Sequence, residues 1–272
     1  MAGSRNRTRA LIAAGAVVVA MTASGCGSDP SGAPVEKKSF DLAGKSLTVE
    51  AGNTEIALAP ADVKDVEVAR QIDGWVFAGS GPKGVWKMDG DTLTLKVKCS
   101  GVVSDCSARH EVKVPRGVAV TVRGDNGKVT AAGFDTALKV TSENGSVDVE
   151  DSSGPLDLKN DNGAITARGI SSKAVTARTE NGSVRLGLTE VPDRVDAGSD
   201  NGGITIELPT TGADGADSTD GADGADGPDV SYAVTTSSDN GSIHVDVPED
   251  GNSGHVVKAR SGNGKITVRT AN

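Results

Sequence analysis

The side chains that could do chemistry in this chain are few and scattered. His110, His244 and His255 are the only histidines, and none stands in a His-Glu-x-x-His or Cys/His spacing that would seat zinc. His244 lies between Ile243 and Val245, so it reads as an outward position on a strand. No Gly-x-Ser-x-Gly stretch offers a nucleophile elbow. "SGPKG", from Ser80 to Gly84, lacks the length and the Lys-Ser/Thr ending of a phosphate-binding loop. Carboxylates are plentiful, 37 Asp and Glu against 28 Lys and Arg, and two of them at a set separation could cleave a polysaccharide. Their placement is regular rather than convergent, as shown below, so no catalytic residue, metal or cofactor is expected. The formal charge of −9 would be repelled by nucleic acid and by anionic lipid headgroups.

The cysteines carry more. Residues 1–25 hold a basic start with Arg5, Arg7 and Arg9, then the apolar run "ALIAAGAVVVAM", too short to span a membrane. "ASGC" follows, ending at Cys26. Basic segment, apolar segment and small residues before the cut read as an export signal. The Cys after Ala-Ser-Gly resembles the lipobox of bacterial lipoproteins, with Ala23 where Leu is usual. That resemblance implies cleavage before Cys26 and a diacylglyceryl thioether on its sulfur, holding the protein to the membrane on its extracytoplasmic face. Loss of the three leader arginines would take the net charge to −12. Cys99 and Cys106 remain, seven apart around "SGVVSD", and in an oxidising compartment they are expected to form a disulfide.

Residues 26–38 read as a flexible tether rich in Ser, Gly, Pro and charge. Residues 39–117 form an N-terminal β-strand region, with alternating runs such as "SLTVE", "TLTLKVK" and "HEVKVP" divided by turn residues. Trp75 and Trp86 flank "VFAGSGPKG" and would either stack on sugars or, as the plainer expectation, plug one end of a core made from small residues. Aromatics are only 2% of the chain, so a deep ring-lined pocket is not expected.

Residues 118–272 are periodic. Asn-Gly recurs at Asn126-Gly127, Asn144-Gly145, Asn162-Gly163, Asn181-Gly182, Asn201-Gly202, Asn240-Gly241 and Asn263-Gly264, with gaps of 18, 18, 19, 20, 39 and 23 residues. Three residues after each Asn stands Val or Ile, and six before it Val or Leu. Six of the seven copies also place Asp or Glu directly before the Asn. Each unit therefore holds two short strands, one ending at Asn-Gly and one leaving it. Both residues tolerate positive φ, so the pair is expected to bend the chain. "RGD" at Arg123 to Asp125 falls inside this repeat and is read as part of it.

Two all-β architectures fit. In an antiparallel meander or sandwich each Asn-Gly closes a hairpin. In a parallel β-solenoid of coils of about 18–20 residues each Asn-Gly is a corner, and like side chains stack into ladders. Near-constant unit length and identical corners favour the solenoid. The 39-residue gap holds an acidic insert, residues 210–229, with Asp at every third position from Asp214. It is expected to be a disordered loop rather than a Ca²⁺ site, and its removal would leave a gap of one ordinary repeat.

The repeated [DE]-N-G-x-[VI], following "HEVKVPRGVAVTV", resembles the DUF4097 family of bacterial β-strand-repeat proteins, whose label is adhesin-like. The resemblance runs from about Phe40 to Asn272. It implies an exported, membrane-anchored β-solenoid without known catalytic residues, some relatives of which stand in envelope-stress gene neighbourhoods. The expectation is a non-catalytic binding or scaffold protein at the cell surface, its partner a cell-wall glycan or an envelope protein. A carbohydrate-cleaving enzyme on a β-helix is the alternative.

Overall fold

Alternation before and after each Asn can bury only one side of each strand, so the strands need a shared interior. The computed structural model describes residues 30–210 and 230–271. The expected leader, Cys26 and residues 211–229 of the acidic insert lie outside the described residues. The strands before the corners form one face: β2 (Ser46–Asn53), β6 (Ala119–Asn126), β8 (Leu138–Asn144), β10 (Leu156–Asn162), β12 (Ala174–Asn181), β14 (Arg194–Asn201), β16 (Ala233–Ser238) and β18 (Val256–Asn263). Those after the corners form the other: β3 (Glu55–Ala61), β7 (Val129–Ala132), β9 (Val147–Glu150), β11 (Ile165–Ile170), β13 (Val184–Leu188), β15 (Ile204–Leu208), β17 (Ile243–Asp246) and β19 (Ile266–Thr270). Between successive coils the pairing is parallel and in register, as in Leu156 opposite Leu138 and Val175. The protein is a parallel β-solenoid, and the hairpin alternative is excluded.

Like residues stack inside. In every coil but the end rung of Asn240, the positions six and four before the Asn line one inner wall and those three and five after it line the other; Leu158, Val184 and Ile204 have no exposed surface. Each such Leu or Ile contributes about 2 kcal/mol by leaving water, so the core is many modest contributions in a row.

The stacking order departs from the chain order at both ends. β18 and β19 pair with β14 and β15 on one side and with β16 and β17 on the other. The last coil of the chain therefore lies one rung inside the coil that precedes it. The 39-residue gap does not lead to an adjacent coil, contrary to the expectation from its length: the chain climbs past a rung that is filled later. The ends of the insert are held together, with Val230 N–H donating to Thr210 O at 2.9 Å and the Tyr232 hydroxyl to Pro209 O at 2.5 Å.

At the N-terminal end β4 (Val66–Asp89) and β5 (Thr92–Pro115) form an antiparallel ribbon that caps the stack. β5 pairs in parallel with β2 and then with β3, wrapping both faces as one coil. β1 (Glu36–Phe40) runs antiparallel on the outer side of β4. β1 thus begins inside the stretch expected to be tether. Ahead of it, the carbonyls of Ser31 and Ala33 accept from Gln71 Nε2, so the chain is held to the body from its first described residues. Trp86 packs here: the Arg70 guanidinium lies 3.8 Å from its ring centre, and Phe40 meets it edge-on. Arg70 also holds Glu36 at 2.7 Å through Nε.

Where the other coils turn just after an Asn, this ribbon makes an excursion. Cys99 and Cys106 are joined, with Cα atoms 6.6 Å apart, whereas seven residues of straight strand would span roughly 23 Å. β5 must therefore double back between them. β4 follows it, with Gly74 opposite Cys106, Phe77 opposite Val103 and Lys83 opposite Lys98. The result is a finger projecting from the corner of the cap, its neck closed by the disulfide. Trp75 stands on this finger, away from Trp86, so the two do not form one plug or one sugar platform.

Candidate binding trough on the outer face

The Asn-Gly corners are architecture. Asn162 Nδ2 donates to Asn144 Oδ1 at 3.1 Å, Asn181 to Asn162 at 3.0 Å and Asn201 to Asn181 at 3.1 Å, continuing through Asn263 to Asn240. No Asn among the described residues has positive φ, so its amide serves the ladder and does not relax the turn. The Gly is needed for closeness: a Cβ on Gly163 would sit 1.9 Å from Gly145 O, and one on Gly202 1.9 Å from Gly182 O. Positive φ is confined to Gly127, Gly145 and Gly163 among these seven, which makes stacking, not turn conformation, the common requirement.

A second ladder supports the first. Two residues before the Asn, Thr179, Ser199 and Ser261 donate their hydroxyls to Gly163 O, Gly182 O and Gly202 O at 2.8 to 3.0 Å. These carbonyls would otherwise be crowded against the next turn without a full set of donors. The Ser/Thr two places before Asn stands in "ARTEN", "AGSDN" and "ARSGN", the last of which lacks the acid of the other copies.

The sequence reading also missed an eighth coil. Asn53 pairs with Asn126, and Asn126 Nδ2 donates to Asn53 Oδ1 at 2.7 Å. Leu47 six before and Ile56 three after are both buried, as the repeat rule requires. Thr54 replaces Gly, and its hydroxyl meets His110 Nδ1 at 2.8 Å and Ala108 O at 2.9 Å. His110 is wholly buried, and burial, aided by the Arg70 charge, lowers its pKa from 6.5 to about 4. Its Nε2 has no partner among the described residues. It is a neutral structural histidine sealed inside the cap.

What remains for a ligand is the outer surface. Three residues before the Asn, side chains point outward from the first face, and there Lys159, Arg178, Gly198, Arg260 and Ser237 stand in register on five consecutive strands. Gly198 leaves the row low in the middle, and an open trough of about 520 Å³ runs across these strands. At about 4.8 Å per strand it extends roughly 19 Å along the solenoid. Arg178 Nη2 lies 3.0 Å from both oxygens of Asp196. Lys159, Lys258 and Arg260 have no ion pair among the described residues and face the trough. Asp161, Glu180 and Asp200 line its rim, one per rung, rather than converging on one point.

This site was not legible in the sequence. Arg178 and Arg260 become neighbours across Gly198 only because the last coil is inserted beside β14. The second face has a comparable depression around Gly187, of about 510 Å³, but there Arg269 is engaged by Glu207.

No protein-family model matches the chain, and no curated protein matches it. Among solved structures it is similar to a candidate adhesin from Bacteroides fragilis at 13% identity, covering 89% of this chain and 99% of that one with a TM-score of 0.48. It is similar also to a candidate adhesin from Parabacteroides distasonis, at 12% identity over 87% and 98% with a TM-score of 0.44. A candidate cell adhesion protein from Clostridium sporogenes aligns at 12% identity over 88% and 99%, with a TM-score of 0.36.

Proposed function

We propose that this protein is a lipid-anchored, non-catalytic solenoid at the bacterial envelope that binds a cell-wall polymer along its outer trough. The observation that carries the reading is the row Lys159, Arg178, Gly198, Arg260: an open channel in which Lys159 and Arg260 have no ion pair among the described residues, bordered by carboxylate acceptors. Such a channel suits a hydroxyl-rich chain bearing carboxylate or phosphate groups, lying along the solenoid axis. Anchoring through a thioether at Cys26 would hold it beside that polymer, and the adhesin-like label of the family it resembles agrees with such a role. A part in envelope stress would follow if occupancy of the trough reports on the wall.

The test is retention of the soluble Cys26→Ser chain on purified wall fractions, followed by sizing of the polymer. Retention that weakens with salt, with polymer length unchanged, is the expected result. Shortened polymer would replace this reading with a polysaccharide-cleaving enzyme, and no retention on any fraction would remove the wall as partner. Membrane fractionation of Cys26→Ser tests anchoring separately: release is expected, and full membrane retention contradicts it.

A further inference from the structure

The finger of β4 and β5 carries four of the six large apolar side chains exposed among the described residues, the others being Val35 and Ile243. Trp75 is 54% exposed, Phe77 65%, Val102 79% and Val103 51%, and all four stand between the disulfide neck and the tip. The bend at the tip includes Ala78 with φ of 50°. Two aromatics and two valines gathered on one projection are not needed by the core, which is continuous without them. At the neck Lys83 stands opposite Lys98, with Asp73 and Asp105 on the same ribbon. The finger is thus near neutral within a chain of net charge −9, so it carries less of the repulsion expected at an anionic membrane than the rest of the surface.

The position of the chain's start decides what covers this tip. Ser31 and Ala33 are hydrogen-bonded to Gln71, two residues before the finger begins at Asp73. Only residues 27–29 separate Cys26 from the first described residue, Pro30. Four steps of chain reach at most about 14 Å. From Asp73 to Phe77 the finger extends roughly 13 Å along the strand. The reach of the anchor and the length of the finger therefore match. Had the whole of residues 26–38 been free, the reach would have been roughly 45 Å and the body could have stood clear.

We propose that the finger dips into the membrane surface beside the Cys26 lipid, as a second, non-covalent contact that fixes how the solenoid stands. Trp75 and Phe77 would occupy the headgroup boundary, where aromatic rings are favoured, with the neck lysines at the phosphates. The inference rests on the lipid anchoring proposed above.

The test uses the full lipidated chain with Trp86→Phe, reconstituted in vesicles of neutral and anionic phospholipid, so that Trp75 is the only tryptophan. Bilayer-borne brominated acyl chains are expected to quench Trp75 by about two-fold or more, and aqueous iodide to quench it less than in the unlipidated Cys26→Ser form. Quenching by iodide alone, with the protein still on the vesicles, overturns the inference and leaves the anchoring intact. Failure of Cys26→Ser to leave membranes overturns the anchoring itself. Should Trp86→Phe not fold, the exposed pair Phe77→Ser and Val102→Ser in the otherwise native chain should abolish the blue shift of emission on vesicles. An unchanged shift would contradict the proposal, as would concentration-dependent pairing of the Cys26→Ser chain that protects Trp75 from iodide, which would make a second copy the occupant.

Discussion

The Asn240 side-chain amide donates to Asn263 Oδ1 at 3.0 Å, and Asn263 donates in turn to Asn201 at 3.0 Å. The last coil of the chain is thereby locked between two coils made earlier. At the other end β2 and β3 lie between the β4–β5 cap and the coil of β6 and β7, again one rung in from the edge. Both terminal coils gain a neighbour on each side. The final coil also completes the trough, because it brings Arg260 to Gly198.

Insertion of that coil predicts coupled protection. Among the described residues β16 and β17 have only β18 and β19 as ladder partners. Ile266→Asp, which buries an unpaired charge in the inner wall, should cost at least about 3 kcal/mol. Amide exchange should accelerate in 233–246 together with 256–270, while 138–181 keeps its protection. Unchanged exchange in 233–246 would contradict the stacking order.

Two glycines should respond unequally. Gly163→Ala places a methyl 1.9 Å from Gly145 O and at positive φ, so it should destabilise by about 2 kcal/mol or more. Gly198→Ala meets Arg178 Cγ at 3.5 Å, ordinary contact, and should change stability by less than about 1 kcal/mol. Denaturant unfolding of the two variants measures the difference.

His110 predicts an acid limb in the stability of the cap. Its folded pKa of about 4 is depressed from 6.5, so the unfolded chain binds the extra proton first. The neutral state's contribution is complete above about pH 6.5 and is lost as pH falls towards 4, roughly 3 kcal/mol in all. His110→Asn should be less stable at pH 7, and its stability should fall less between pH 7 and 4.5 than that of the native chain. Equal slopes by chemical unfolding would show that His110 does not titrate in this window.

Removal of the disulfide should act locally. Cys99→Ser with Cys106→Ser frees a short loop, worth about 2–3 kcal/mol of ordering by the loop-closure argument. The loss falls on the finger, whose neck has no Asn-Gly corner to replace the bond. Limited proteolysis should cut within 74–106 while the body from Ala119 onward stays intact. Cleavage spread along the solenoid would contradict this.

Fold and site differed in how far they could be read. Val129, Val147 and Ile165 at a fixed distance from Asn, with Val120, Leu138 and Leu156 before it, favour a coil over a hairpin, because stacked coils need constant unit length and identical corners and a meander does not. Asn53 escaped since Thr54 breaks the Asn-Gly signature, although Leu47 and Ile56 obey the spacing. The order of the last two coils had only one sign in the sequence, Thr236 at the inward position where Ala259 and the other repeats are apolar, which marks the coil of Asn240 as the end rung. The trough depends on that order, and so does the pairing of Arg178 with Arg260 across Gly198. The finger was hidden for another reason: its alternating residues match a strand, and only the closeness of Cys99 to Cys106 shows that the strand doubles back.

The most direct measurement of the central claim is wall-polymer binding by the soluble Cys26→Ser chain carrying Gly198→Gln with Arg260→Glu. These changes fill and reverse the charge of the trough on the outer face without touching the buried walls. The account predicts at least a ten-fold loss of affinity, with a second-face control, Arg185→Gln, binding as before. Equal affinity in the trough variant and the native chain would contradict the claim that this row of residues is the binding surface.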